Sequence, residues 1–265
     1  MALCKYHYFL SQPIAFRLGY DVFEVDDLLV DSKFLYTFDD VSDIKDVRGE
    51  VWAQVNGSLQ SVTGVRGGAV KTLGDTGTIL LSNNPWGTFT VNQHTFSLWL
   101  LYQCRETNAA HSFLAIGNQE NGGRGMHLYQ EDGSREDLTF KLTGQRQKCL
   151  FTFSVPQRVW SHLVFTWTQI DQVKVYRNGK LATNMAKHCD NIGALNVDNK
   201  DIKLGSSNQL PLASFDDLIY WKKALSALQV EKLFRFYKGN FREVILLISP
   251  VTSYNKNFSI RSQSG

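Results

Sequence analysis

Short runs in which apolar residues recur at every second position follow one another along most of this chain. They restrict the possible fold more than any other feature, because side chains alternate between the two faces of a β-strand and period two therefore predicts a strand. The predicted strands are residues 95–102, 111–116, 125–129, 137–142, 150–155, 160–167, 173–181, 202–205 and 215–221. Turn residues separate them, as in 118–125, which holds three glycines and two asparagines. About ten strands at such short spacing are typical of an antiparallel sandwich.

Two local signals refine this prediction. The dipeptide Asn178-Gly179 lies between two extended runs and predicts a tight hairpin, since both residues tolerate the positive φ of a type I′ turn. After residue 225 the apolar spacing becomes helical, with Ser226 as N-cap and with Leu228 and Leu233 on the apolar stripe. The predicted fold is therefore all-β, a two-sheet antiparallel sandwich with one short C-terminal helix.

The sandwich is expected to occupy residues 33–237. Residues 1–32 are expected to form an N-terminal extension, and residues 238–265 a polar C-terminal tail. Four tryptophans should pack in the core between the two sheets, because each brings a large apolar surface to a thin interior. They are Trp99, Trp160, Trp167 and Trp221.

The charge and the apolar runs exclude two classes of partner. Among the 265 residues, 28 Lys and Arg face 25 Asp and Glu, and a net charge of +3 does not indicate a nucleic-acid-binding protein. Apolar runs such as 244–248 are much shorter than the ~20 residues that cross a bilayer, so no membrane span is predicted. Lys5, His7 and Ser11 interrupt the apolar stretch that a secretory signal needs. The chain is thus either intracellular or a piece of a longer protein.

The cysteines and the glycosylation sequons are relevant to whether the chain folds in an oxidising cellular compartment. The four cysteines are Cys4, Cys104, Cys149 and Cys189, and they show neither a CxxC motif nor a zinc-binding spacing. They are either four separate buried thiols or the members of one or two disulfides in an oxidising compartment. The spacing does not choose among the possible pairings. Sequons at Asn56 and Asn257 are compatible with secretion.

Five segments of the chain, taken in order, carry a resemblance to a known family. They read FLYTFD at 34–39, FSLWL at 96–100, WSHLVFTW at 160–167, VKVYRNGK at 173–180 and FDDLIYWKKALS at 215–226. This order resembles the laminin-G-like or pentraxin-like jelly roll of the concanavalin A-like superfamily. The resemblance covers about residues 33–237 and implies a jelly-roll arrangement of the sandwich.

The resemblance implies a non-catalytic extracellular module for recognition or adhesion, which binds glycans or protein partners within a larger secreted or membrane-anchored protein. The alternatives are a glycan hydrolase of the same superfamily and a purely structural spacer. Such a hydrolase needs two carboxylates on one strand face. Glu131-Asp132 and Glu136-Asp137 are adjacent pairs, whose members would point to opposite faces. The chain is therefore predicted not to be an enzyme.

The resemblance also suggests calcium. A pentraxin-like site would use Glu120 and Asn121, but the second loop that such a site needs, residues 206–214, contains no acid. A different site of the family would combine Asp39 or Asp40 with Asp216 or Asp217, near the first and last strands. These carboxylates would either hold one structural calcium ion or accept backbone N–H bonds.

A glycan-binding surface needs exposed aromatic side chains beside polar groups. Trp86 is the first candidate, because Pro85 and Gly87 place it in a loop, although a loop tryptophan can also pack against the sandwich edge. Tyr129, beside Gln130, is the second candidate.

Overall fold

The structure is a computed structural model that describes residues 25, 27–47, 52–81, 93–103, 111–117, 123–131, 136–168, 173–182, 192, 195, 201–205 and 212–239. Within these residues there are thirteen antiparallel strands and a C-terminal helix. They are β1 (Phe34–Tyr36), β2 (Gln54–Thr63), β3 (Gly68–Leu81), β4 (Gln93–Gln103), β5 (His111–Gly117), β6 (Gly125–Gln130), β7 (Asp137–Thr143), β8 (Lys148–Ser154), β9 (Ser161–Thr168), β10 (Lys174–Arg177), β11 (Lys180–Leu181), β12 (Ile202–Leu204), β13 (Leu212–Trp221) and α1 (Ala227–Tyr237).

The strands form two layers. One layer runs β11-β10-β9-β4-β13, with β1 beside the end of β13, and the other runs β12-β5-β6-β7-β8. Rings from the two layers meet between them: the centroids of Phe140 on β7 and Phe165 on β9 are 4.2 Å apart. Tyr102 on β4 meets Phe113 on β5 at 5.2 Å. The predicted antiparallel sandwich with one short C-terminal helix is confirmed.

Strand β3 connects the two layers. Its first half pairs with β13 at Val70 and Lys71, and its last residues, 79–81, pair with β12. Strand β2 follows it along both halves, and the register shifts between Asn56 and Ser58, where Gly57 lies opposite residues 74–77 of β3. At this register shift a Cβ on Gly77 would lie 2.8 Å from the carbonyl oxygen of Ser58. The close approach of the two backbones therefore requires glycine.

The inner core lies between the layers and consists almost entirely of aliphatic and aromatic side chains from alternate strand positions. Trp167 belongs to this cluster, as predicted. Trp99 and Trp221 do not: they lie in a second cluster on the outer face of the first layer, where Trp160 is only partly buried against them. The prediction that all four tryptophans pack between the sheets is therefore wrong for three of them.

Helices cover this outer cluster. Leu233 and Phe236 of α1 are buried in it, and so are Val25 and Leu28 from the helical residues 25 and 27–30. The indole Nε1 of Trp221 donates a hydrogen bond to the carbonyl oxygen of Leu28 over 2.7 Å. The end of the segment expected to be an N-terminal extension thus packs onto the sandwich. Among the described residues, no helix has the length and apolar character needed to cross a membrane.

Ser226 caps α1, as predicted. Its hydroxyl accepts a hydrogen bond from the backbone N–H of Gln229, while the Gln229 side chain accepts one from the backbone N–H of Ser226. This reciprocal capping box satisfies two N–H groups that the first turn of a helix leaves without partners. It fixes the start of the helix over the outer cluster.

Candidate functional site

The outer face of the second layer carries a group of polar and aromatic side chains that we call the outer strip. Cross-strand pairing runs from Ser112 to Tyr129 to Thr139 to Thr152, and a parallel row joins His127 to Lys141. Buried residues such as Leu128 and Phe140 alternate with these and point into the core. The outer strip comprises Ser112, His127, Tyr129, Thr139, Lys141 and Thr152.

Tyr129 is held in place by its neighbours on β5 and β6. Its ring stacks on that of His127, with centroids 4.6 Å apart and planes 22° apart. His127 Nε2 is 2.9 Å from the hydroxyl of the buried Ser112, so the histidine ring is itself fixed by a hydrogen bond. Both rings remain half-buried, which leaves part of each exposed. The result is a positioned aromatic platform on a flat sheet surface.

Hydrogen-bonding groups surround this platform. The Tyr129 hydroxyl donates to Glu131 Oε1 over 3.2 Å, and burial and the nearby Glu131 raise the tyrosine pKa, so the phenol keeps its proton. The hydroxyls of buried Thr139 and exposed Thr152 are 3.3 Å apart. Donors and acceptors thus border the ring on adjacent strands.

The strip also carries positive charge. Lys141 pairs across the sheet with His127, and Lys148 lies diagonally from it on the same face of the β7–β8 pair. Burial lowers the pKa of Lys141, and repulsion from Lys148 lowers it further. The strip thus carries the ammonium group of Lys141 one strand from His127, with Lys148 farther along the same face, while Glu131 places a carboxylate at the Tyr129 hydroxyl.

Two of the predicted aspartates, Asp39 and Asp216, bind the turn between β2 and β3. Asp39 Oδ1 accepts the backbone N–H of Gly68 over 2.7 Å, and Asp216 Oδ2 accepts that of Val65 over 2.8 Å. Asp217 is buried in the bulge of β13 with φ 46°. Asp40 binds Ser42 in its own loop instead.

For Asp39 and Asp216 these contacts demonstrate one of the two expected roles, the acceptance of backbone N–H bonds. Among the described residues, no group of three or more His, Cys, Asp or Glu side chains is arranged to hold a metal ion. Calcium generally takes 6–8 oxygen ligands. The calcium site at Asp39, Asp216 and Asp217 stays a prediction.

Of the other predicted site residues, some lie within the described part of the chain and the rest lie outside it. Cys149 is buried in β8 and is disulfide-bonded, and Asn56 is exposed on β2. Glu131, Glu136 and Asp137 are exposed around the turn before β7. The remaining candidates lie outside the described residues: Cys4, Trp86, Cys104, Glu120, Asn121, Asp132, Cys189 and Asn257.

Sequence reasoning named Tyr129 as a candidate but did not name the residues around it. His127 lies two residues earlier in the same strand and so on the same face, a signal that period two contained. Ser112, Thr139, Lys141 and Thr152 come from three other strands, and only the cross-strand register brings them to the tyrosine.

Comparison with known proteins agrees with this fold. A laminin G family model, described as the concanavalin A-like lectin/glucanases superfamily, matches residues 73–231. The human adhesion G-protein coupled receptor D1 is 31% identical over 121 residues, which are 43% of this chain and 12% of the receptor. The chain therefore corresponds to a small part of that relative.

Two solved structures share the fold at low sequence identity. One is the ligand-binding domain of botulinum neurotoxin serotype D in complex with N-acetylneuraminic acid, with TM-score 0.65, 15% identity and coverage of 80% of this chain and 52% of that one. Another, from a study titled "Cell entry of botulinum neurotoxin type C is dependent upon interaction with two ganglioside molecules", has TM-score 0.63, 16% identity and coverage of 80% and 53%. At such identities these structures establish the likeness of fold alone.

Proposed function

Since this chain belongs to the concanavalin A-like lectin/glucanases superfamily, we propose that it is a non-catalytic extracellular recognition module that binds glycans through the outer strip. The observation that carries the proposal is the Tyr129–His127 stack, bordered by hydroxyl and ammonium groups. A recognition domain needs such a prearranged surface, because ordering the side chains on binding would weaken affinity.

The chemistry of a sugar ring matches this surface. A pyranose has a face of C–H groups and a rim of hydroxyls, so its C–H face can cover the exposed part of the Tyr129 ring and displace water from it. The exposed Thr152 hydroxyl and the half-buried Lys141 ammonium share this sheet face and offer hydrogen-bonding groups to the rim hydroxyls. The apolar face of the sugar thereby packs on the aromatic ring, and its hydroxyls find hydrogen-bond partners.

The charge of the strip favours acidic sugars. Lys141 and Lys148 repel one another, and a carboxylate between them lowers the energy of both. The neurotoxin domain crystallised with N-acetylneuraminic acid, an acidic sugar, shares this fold and supports the same choice. We therefore expect sialylated oligosaccharides to bind more tightly than their neutral counterparts.

The extracellular location rests on separate observations. Cys149 is disulfide-bonded, and disulfides persist in oxidising compartments. The similarity to an adhesion receptor also supports an extracellular location. The chain covers little of that receptor, so membership of a larger membrane-anchored protein is part of the proposal.

Binding to a glycan array, followed by titration with the best sialylated and neutral hits, tests the proposal. Tyr129→Ala should weaken binding by about tenfold or more, as expected for loss of an aromatic contact worth over ~1 kcal/mol. Trp52→Ala is the matched control, because Trp52 is 58% exposed but lies outside the strip. Lys141→Met should reduce the preference for acidic sugars. Equal binding by Tyr129→Ala and the unaltered protein would contradict the assignment of the site.

The test also separates the alternatives. Release of reducing sugar from a glycan, lost when Glu131 or Glu136 is changed, would establish a hydrolase. Failure to bind any glycan would leave a protein partner or a spacer role. We expect binding without turnover.

A further inference from the structure

Strand β2 is an unusually exposed edge of the sandwich. Eight of its ten residues are exposed and two, Leu59 and Val62, are partly buried. Within the described part of the chain it pairs with β3 alone. A strand at an edge presents unpaired N–H and C=O groups, which another strand can bind.

The other edge strands are short or begin with lysine, whereas in β2 the only such feature is the register shift at Gly57. Strands β1 and β11 are three and two residues long, and β8 begins with Lys148. Short length and lysine both discourage edge-to-edge pairing. Strand β2 is ten residues long and contains neither a charged residue nor proline. By these criteria it should pair with the same strand of a second copy.

The sequon Asn56-Gly57-Ser58 lies in this strand, where its register with β3 shifts. All three residues are exposed, and Gly57 adopts φ 80° where the ladder to β3 is interrupted. The Asn56 side chain is therefore accessible at the corner where β3 passes from one layer to the other. Asn-x-Ser is an acceptor for N-linked glycans in secreted proteins.

We propose that Asn56 carries an N-linked glycan and that this glycan prevents two copies from pairing along β2. In the transfer, the side-chain amide nitrogen forms a bond to C1 of the first sugar of a lipid diphosphate-linked oligosaccharide. The bond from C1 to the diphosphate oxygen breaks, the lipid diphosphate leaves, and the amide loses one proton. A bulky hydrated chain at the middle of the strand then occupies the space that a second strand needs.

The proposal depends on the extracellular location in the proposed function, so occupancy is tested with the full chain directed into the secretory pathway by an added signal peptide. A peptide N-glycosidase should lower the mass of the secreted protein and convert Asn56 to aspartate, which tandem mass spectrometry locates. Asn257→Gln keeps the Asn56 signal, and Asn56→Gln removes it. An unmodified Asn56 in the secreted protein would overturn the proposal, whatever glycan the outer strip binds.

Self-association tests the protective role. Asn56→Gln and Ser58→Ala both abolish the sequon, and the second keeps the asparagine, so both should form dimers or larger species by analytical ultracentrifugation. Adding Ser61→Lys, at an exposed position of the same strand, should restore the monomer. If the glycan-free variants stay as monomeric as the glycosylated protein, the glycan does not protect this edge. Unchanged sugar binding in these variants keeps the two proposals separate.

Discussion

His162 shows how strongly burial controls a single side chain in this protein. It is fully buried at the base of the outer cluster, with its Nε2 2.7 Å from the Ser97 hydroxyl. The rings of Trp99 and Phe234 lie 4.9 and 6.1 Å from its own. Burial among these rings lowers the histidine pKa to about 3, so the imidazole is neutral in the folded protein.

This predicts acid sensitivity. The unfolded chain binds a proton at His162 below a pKa of about 6.5, whereas the fold excludes that proton down to about 3. Stability contributed by the neutral histidine is therefore complete above pH 6.5 and declines as the pH falls toward 3, by up to ~1.4 kcal/mol per pH unit. Denaturant unfolding at several pH values should show a shallower decline for His162→Gln. The same slope in both proteins would contradict the prediction.

The aspartates at the β2–β3 turn provide a second test on single residues. If Asp39, Asp216 and Asp217 hold calcium, the ion binds only the folded state and stabilises it by about 2.7 kcal/mol at a hundredfold excess over Kd. The melting temperature should then be higher in millimolar calcium than in chelator, and Asp217→Asn should lose this difference. Identical melting in both solutions would contradict the calcium site and leave Asp216 and Asp39 as acceptors for the backbone N–H groups of Val65 and Gly68.

Helix α1 and the β10–β11 hairpin stabilise one another through a close contact. The hairpin turns at Asn178 and Gly179, both with positive φ. A Cβ on Gly179 would lie 3.1 Å from Cβ of Phe234, which in turn stacks on Trp99 at 5.9 Å. The glycine therefore serves the turn and the packing of the helix together.

Comparison of two glycines separates these roles. Gly179→Ala should destabilise the protein by about 1–3 kcal/mol, from the strain of positive φ and from the contact with Phe234. Gly239→Ala is the matched control, because Gly239 also has positive φ but has no atom within 4 Å of its added Cβ. The loss in free energy of unfolding caused by Gly239→Ala, measured by denaturant unfolding, should be smaller than that caused by Gly179→Ala. Equal costs would show that the helix contact contributes nothing.

The sandwich as an assembly depends on long-range connections, and the disulfide of Cys149 is a covalent one. The residue is buried in the inner core on β8, the edge strand of the second layer. The three other cysteines all lie outside the described residues. The cross-link therefore tethers the edge strand of the second layer covalently.

Reduction should weaken the whole fold. Loss of a native disulfide typically costs 2–5 kcal/mol, so reductant should lower the free energy of unfolding by about that amount. Cys149→Ala should abolish the response to reductant. Thiol titration of the denatured, unreduced protein should find fewer than the four thiols that the sequence contains. Four free thiols would refute the cross-link.

Local sequence was sufficient for strands that bring apolar residues to at least one buried face. The alternation in 137–142 and 160–167 predicted β7 and β9 to within a residue at each end, and Asn178-Gly179 predicted the hairpin. Strands β2 and β3 were not predicted. Strand β2 is exposed on both faces and so has no apolar period, and β3 crosses between layers at glycines.

Period two tells which residues of a strand share a face, but not which sheet that face covers or which strand lies beside it. Trp99 alternates as a core residue should, yet its face of β4 is covered by α1 and not by the second sheet. In the same way, Tyr129 was recognisable alone, whereas the register of β5, β6, β7 and β8 brought Ser112, Thr139 and Thr152 into line with it. Pairing and layer order depend on the summed burial of the whole chain, so only the tertiary structure decided them.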